Sequence, residues 1–547
     1  MTVFAYPSAI IRDAEGPLLE QGIPLMARAA RALANVCLEQ LRDRRGLIAG
    51  ARVCVLAGPG NNAGDALFAA AALRRRGVRV TVITLFDRTH VDGLAAARRA
   101  GAEVIDHTAD TPSASAEILR ELARADLVLD GILGTGGRRG LPDDLAELIR
   151  EWREAETESA SQPGADTGSE AETGAQTRAE SRPLVISVDT PSDLDPEPEG
   201  ADRRIHADHT VTFGGLKAEL IDPRVAEFTG SIHVIDIGLD LDPDLAAAEL
   251  LDVADLRAEY PRPEQDGYKY SRGVAGVLAG SEDYPGAGVL TTTSAVNCGV
   301  GMVRYLGSEL VAEPIIGIHA EVVNASGRVD SIVMGPGDPE SEYVQAAVDA
   351  LAETTIPVVL DAGALDMIAR VESMQGTWLA GRPVLLTPHA GELARLLSRL
   401  LGEIITSTRI TADPVGWARE AARVTGMIVL LKGHRTVIAA PDGYCVLPAP
   451  GPASLATAGS GDVLAGILGG LAAVIGAQGR QSADEQVLSA RDWAHIAGLG
   501  VLIHNSAGRR AINAGQLADA VAEVVAELIH GGDRRDRPGP ADGILDR

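Results

Sequence analysis

Short apolar runs that end in an aspartate or a glycine turn, and then lead into Ala- and Leu-rich segments, recur along almost all of this chain. In the first half they fall at residues 53–57, 78–84, 127–132, 184–189, 210–213 and 232–237. Residues 66–76 and 143–152, lying between such runs, have helical spacing. In the second half the runs fall at 274–279, 331–334, 358–361, 384–387, 428–432 and 436–439. Strand–helix alternation of this kind dictates an α/β fold: a mostly parallel sheet wrapped by helices. At 547 residues the chain is too long for one core, so two or more domains are expected. Aromatic residues make up only 3%, so both cores must be built from closely packed Ala, Val, Leu and Ile.

The alternation breaks twice. Residues 155–182 are Glu, Ser, Thr, Ala, Gly and Gln without an apolar period, which predicts a disordered insertion. Beyond residue 237 come Gly238, an acidic stretch with proline, and then Pro261 and Pro263. The expected organisation is therefore a first domain over 1–240, a linker over 241–261 and a second domain over 262–530. The Gly/Pro-rich charged end, 531–547, reads as a disordered tail.

A net charge of −27 argues against nucleic acid or an anionic membrane surface as partner. Phosphate must then be held by local devices. The four cysteines have no CxxC spacing, as expected for free thiols in a reducing compartment. No signal peptide or uninterrupted bilayer-spanning run is evident, so a soluble cytoplasmic protein is expected.

Residues 53–57 run straight into Gly58-Pro59-Gly60-Asn61-Asn62-Ala63-Gly64-Asp65. Ligands of open α/β sheets bind beyond the carboxyl ends of strands, where this turn lies. Its asparagines and aspartate suit a sugar, an amide or a hard cation, although alone the motif is more often a plain turn. Two further strands end in carboxylates, Asp130 before Gly131 and Asp189 before Thr190-Pro191-Ser192. Asn62, Asp130 and the Ser192 region together offer oxygen ligands for a hard ion. The loop after Asp130, with Gly134, Arg138, Arg139 and Gly140, offers phosphate contacts.

In the second half, glycine turns and polar residues punctuate successive strand ends. They include Gly280-Ser281 ahead of Ala287, Gly335-Pro336-Gly337, Asp361, Thr387-Pro388-His389 and Lys432-Gly433-His434-Arg435-Thr436. Downstream lies Ala458-Gly459-Ser460-Gly461-Asp462, which opens an apolar helical segment over 463–475. Backbone N–H groups at such a helix start favour phosphate. Alone, Asp462 reads equally as a cap. With its upstream partners it reads as a base beside a phosphoryl cradle.

These motifs carry two family resemblances. The Asn-Asn-x-Gly-Asp turn, the Asp130 loop and Asp-x-Pro-Ser resemble the NAD(P)H-hydrate epimerase domain over about residues 1–240. That resemblance implies a Rossmann-like fold interconverting the R and S hydrates of NADH and NADPH. Asn61, Asn62, Ala63, Gly64, Asp65, Gly134, Thr135, Gly136, Gly137, Arg138, Arg139, Gly140 and Asp189 would contact the hydrate. Asn62, Asp130 and Ser192 would hold potassium. Where the family has glycines, this sequence has Ala63, Ala66 and Asp193.

Thr-Pro-His-x-Gly-Glu, Lys-Gly-x-x-Thr and Ala-Gly-Ser-Gly-Asp, in this order, resemble the ADP-dependent NAD(P)H-hydrate dehydratase branch of the ribokinase-like superfamily over about 262–530. It implies that Ala287, Gly337, His389 and Asp462 bind the hydrate, with Asp462 as the base. Lys432, Gly433, His434, Arg435, Thr436 and Gly461 would bind ADP, with Mg2+ as its companion ion. The expected whole is thus a bifunctional repair enzyme, an epimerase feeding a dehydratase, acting as a homo-oligomer. The alternative is a vitamin-alcohol kinase whose first domain only binds a ligand.

Overall fold

In the computed structural model, described over residues 3–107, 112–134, 141–161, 182–194, 204–337, 351, 354–370, 381–479, 487–531 and 544–545, the chain forms two units, built chiefly from Ala5–Leu245 and Ala246–Pro538. Along residues 3–245 the strands are β1 (Val3–Tyr6), β2 (Arg52–Ala57), β3 (Arg79–Thr84), β4 (Glu103–Asp106), β5 (Leu127–Gly131), β6 (Leu184–Val188), β7 (His209–Phe213), β8 (Leu216–Lys217) and β9 (Ser231–Ile235). The main sheet is parallel throughout in the order β4-β3-β2-β5-β6-β7-β9. Strand order reverses between β2 and β5. This is the doubly wound, Rossmann-like arrangement, with its ligand crevice at that switch point.

Both faces of the sheet are covered, which explains the continuous apolar runs. Val53, Val55 and Ala57 pack on one side with Leu33, Leu41 and Leu67. Cys54 and Leu56 pack on the other with Ile118, Ile149 and Trp152.

The helix Asp143–Ser161 continues into the segment expected to be disordered, so that expectation is corrected for residues 155–161. Its Glu- and Ala-rich continuation is good helix former, supported by the Arg150–Glu154 pair at i,i+4. Residues 162–181 of the expected insertion lie outside the described residues.

The second unit contains β10 (Ala248–Leu251), β11 (Val274–Leu278), β12 (Met302–Tyr305), β13 (Ser331–Met334), β14 (Val358–Leu360), β15 (Val384–Leu386), β16 (Ile428–Leu431), β17 (Val437–Ala439) and β18 (Cys445–Pro448). They run in the order β12-β11-β13-β14-β15-β16-β17-β18-β10, parallel from β12 to β16, with an antiparallel excursion through β17.

The expected linker is the main correction. Residues 248–251 pair with β18, and Val253–Glu259 is a helix with a complete Asp252/Asp255 capping box. The chain passes from Leu245 of one unit to Ala246 of the other just after the acidic stretch around Asp240–Pro243. Of the expected tail, Gly531 and Ile544–Leu545 are described, the latter pairing with β9.

Small residues set the packing of the second core. A Cβ on Gly466 would lie 2.1 Å from Ser294 Oγ and 2.2 Å from the Thr291 carbonyl. The helices Pro285–Asn297 and Ser460–Gly479 therefore touch almost backbone to backbone. The second of these is, against expectation, long and apolar enough to cross a bilayer, but 78% of its apolar window is buried in this core. All four cysteines are unpaired and buried.

Candidate functional site

At the switch point of the first unit, β2 ends in the turn that opens the helix Asn61–Arg75. A cavity of about 500 Å³ lies there, lined by Arg12, Glu15, Asn61, Asn62, Asp65, Gly134, Asp189, Phe213 and Lys217 among others. Asn62 Nδ2 donates to the carbonyls of Val188 (2.7 Å) and Leu133 (3.3 Å). Gly134 makes room for it, since a Cβ there would come within 2.4 Å of the Asn62 amide.

Asp130 is fully buried at the end of β5. It accepts from Ser187 Oγ (2.8 Å), Ser192 N (2.9 Å), Ser192 Oγ (2.5 Å) and Ile132 N (3.3 Å). Burial raises its pKa, and the hydrogen bonds from Ser192 and Ser187 pull in the opposite direction. These donors are all neutral. Among the described residues no cationic side chain is bonded to Asp130, which leaves a hard cation as a fitting companion for this carboxyl. Among the described residues no group of three His, Cys, Asp or Glu exists for a transition metal.

Asp189 takes a left-handed backbone, φ 67°, and its Oδ1 accepts from Lys217 Nζ at 2.6 Å. Lys217 also bonds Thr212 Oγ1 at 2.8 Å. Glu15, Arg12 and Lys217 join this cavity from elements distant in sequence, and only the topology reveals the last. Of the predicted residues, Thr135, Gly136, Gly137, Arg138, Arg139 and Gly140 lie outside the described residues.

Ala63 and Ala66 are helical and fully buried, so neither requires the freedom of a glycine. Asp193 does occupy a left-handed conformation, φ 63°, which Asp tolerates better than most residues.

In the second unit Gly459, at φ 86°, turns the chain into the helix Ser460–Gly479, placing Asp462 in its first turn. Across from it, Lys432 Nζ lies 2.7 Å from Asp361 Oδ1 and 3.9 Å from Glu392 Oε2. A Cβ on Gly461 would stand 3.4 Å from the same ammonium, so glycine keeps the approach open. Thr387 Oγ1 donates to Asp361 at 2.8 Å, fixing the carboxylate.

Burial, then the nearby Asp361, push Asp462 up to about 6, with Lys432 pulling the other way. Burial opposes the charge of Lys432, but Asp361 and Glu392 outweigh it and raise its pKa. The helix start is pinned by buried His504, whose Nε2 lies 3.1 Å from Ser460 Oγ. Burial lowers His504 to about 4, leaving it neutral.

His389 caps the helix Ala390–Leu401: its Nδ1 accepts from Gly391 N (3.0 Å) and Glu392 N (3.2 Å). That bonding places the ring proton on Nε2, which lies 3.5 Å from Glu392 Oε1. Ala287 and Gly337 are neighbours; a Cβ on Gly337, at φ 67°, would lie 2.5 Å from Ala287 Cβ. The helix carrying Ala287, Pro285–Asn297, is tied to the cradle by Thr291 Oγ1 donating to the Asp462 carbonyl at 3.2 Å. Lys432–Thr436 forms the turn between β16 and β17, as expected. Asp361 and Glu392, absent from the expected ligand set, prove to be part of the charged cluster.

Residues 22–218 match the family described as YjeF-related protein N-terminus, and residues 275–523 match NAD(P)H-hydrate dehydratase. The chain is 39% identical over 479 residues to the bifunctional NAD(P)H-hydrate repair enzyme Nnr of Mycobacterium leprae, covering 86% of this chain and 89% of that protein. The chain belongs to the bifunctional NAD(P)H-hydrate repair enzymes. The NAD(P)H-hydrate epimerase of Microbacterium testaceum is 40% identical over 248 residues, covering 44% of this chain and 80% of that one. A solved ADP/ATP-dependent NAD(P)H-hydrate dehydratase from Bacillus subtilis, co-crystallised with ATP/Mg2+, is 28% identical, covering 50% of this chain and 96% of its own, with a TM-score of 0.42. The two family matches favour repair over the vitamin-alcohol kinase alternative.

Proposed function

We propose that the first unit epimerises hydrated NADH and NADPH and that the second dehydrates the S hydrate at the expense of ADP. The observation that carries the second part is a carboxylate, Asp462, standing in the first turn of a helix across from a lysine and open glycine backbone. Helix-start N–H groups stabilise phosphoryl charge, and Asp462 takes the proton from the substrate hydroxyl as that oxygen attacks the nucleotide's terminal phosphorus. Phosphate then leaves from the carbon bonded to the ring nitrogen, and loss of a ring proton restores the double bond.

In this reading Ala287, Gly337 and His389 hold the hydrate, and Lys432, Gly433, His434, Arg435, Thr436 and Gly461 hold ADP. The phosphate charge of ADP would be offset by Mg2+, a hard cation suited to phosphate oxygens and water. In the first unit Asn61–Asp65, the loop 134–140 and Asp189 contact the hydrate. Asn62, Asp130 and Ser192 would hold potassium, which would supply positive charge to the site. The burial of Asp130 among neutral donors, with no cationic side chain bonded to it among the described residues, supports this.

The test supplies S hydrate with ADP. Recovery of reduced-nicotinamide absorbance is expected, whereas a stable phosphorylated product would show a kinase instead.

A further inference from the structure

Three carboxyl groups, Glu15, Asp65 and Asp189, line the cavity of the first unit together with Lys217 and Arg12. Their surroundings differ. Asp189 Oδ1 is bonded to Lys217 Nζ at 2.6 Å. Asp65 is only 8% exposed, and its Oδ1 has no hydrogen-bond partner among the described residues.

Hydration of an enamine leaves the hydroxyl on the carbon bonded to nitrogen, because that nitrogen stabilises positive charge there. Inverting this carbon requires breaking one of its bonds to a heteroatom; the C–O route keeps the ring closed, but hydroxide is a poor leaving group unless it is protonated.

We propose that Asp65 is the proton donor for epimerisation, an assignment that rests on reading the first unit as an epimerase. Asp65 gives its proton to the hydroxyl, which departs as water while the ring nitrogen's lone pair forms a C=N bond. Water then adds to the other face and gives a proton to Glu15 or Asp189. Exchange with solvent restores the starting protonation.

Burial first, then the charges of Asp189 and Glu15, raise the pKa of Asp65 well above the usual carboxylate range, with Lys217 opposing. Burial and Asp189 also raise Glu15, but Lys217 and Arg12 moderate it. Buried and without a hydrogen-bond partner on Oδ1 among the described residues, Asp65 is the carboxyl of this set placed to carry a proton.

The test is R-to-S conversion by the full chain without ADP, followed chromatographically. Asp65→Asn is expected to lower kcat about 100-fold or more with KM little changed. Unaltered activity should fall as pH rises through the donor's titration, and the variant's residual rate should lack that limb. A protonated-carboxyl infrared band present at neutral pH should vanish in Asp65→Asn, and Asp65→Glu should restore part of kcat. Full kcat in Asp65→Asn, or an unchanged band, overturns the assignment alone. An unaltered chain no faster than the uncatalysed reaction overturns both the assignment and the epimerase reading.

Discussion

Lys432 Nζ lies 2.7 Å from Asp361 Oδ1, at the ends of neighbouring parts of the second sheet. One ammonium thus neutralises the carboxylates around the proposed base, because Glu392 and Asp462 also feel its charge. Removing it by Lys432→Met leaves buried Asp361 uncompensated. A loss of about 3–5 kcal/mol is typical of breaking such a pair. The melting temperature should fall accordingly. Because Lys432 lowers the pKa of Asp462, the acid limb of the dehydration profile should also move to higher pH.

Asp462→Asn should abolish dehydration while ADP affinity, measured by calorimetry, stays nearly unchanged. The amide preserves shape but cannot take a proton; removal of a general base costs about 10²–10⁴-fold in rate. Turnover within about threefold of normal, far short of that loss, would remove Asp462 from the mechanism.

The same substitution has a stability signature with a defined sign. The folded Asp462 carboxyl releases its proton at about 6 and the unfolded one near 3.8. Between those values the folded chain holds more protons, so this group's contribution to stability falls as pH rises. Asp462→Asn should therefore raise the melting temperature at about pH 8 and lose that advantage below about pH 4. Dehydration by the unaltered chain should rise through about pH 6, as the base becomes ionised.

Asp130→Ala should impair epimerisation and abolish its response to potassium, leaving dehydration intact. It also strands the Ser187 and Ser192 donors, each worth about 1–3 kcal/mol when buried and unpaired. Asp130→Asn preserves part of that bonding and should separate loss of potassium response from loss of stability. Equal loss of dehydration would mean that damage to one unit reaches the other.

Much of this was legible in the sequence because the chemistry sits at strand ends. Asp130, Asp189 and Asp361 each follow an apolar run, and the glycine turns mark where backbone must approach closely. Lys217 was not legible: it ends a two-residue strand, and only the folded path of the chain after β7 brings it to Asp189. Glu392 read as part of a motif, but its nearness to Lys432 depends on the helix cap at His389. Residues 248–251 read as linker because Ala- and Glu-rich sequence has weak strand preference, and β18, far downstream, supplies the pairing.

The central claim is that two activities on one chain act in sequence on one damaged cofactor. The direct measurement supplies purified R hydrate with ADP and follows NADH recovery against the uncatalysed epimerisation rate. Complete recovery faster than that rate, slowed by Asp130→Asn and abolished by Asp462→Asn, is the predicted result. Recovery confined to the S hydrate, with R hydrate consumed no faster than it epimerises by itself, would contradict it.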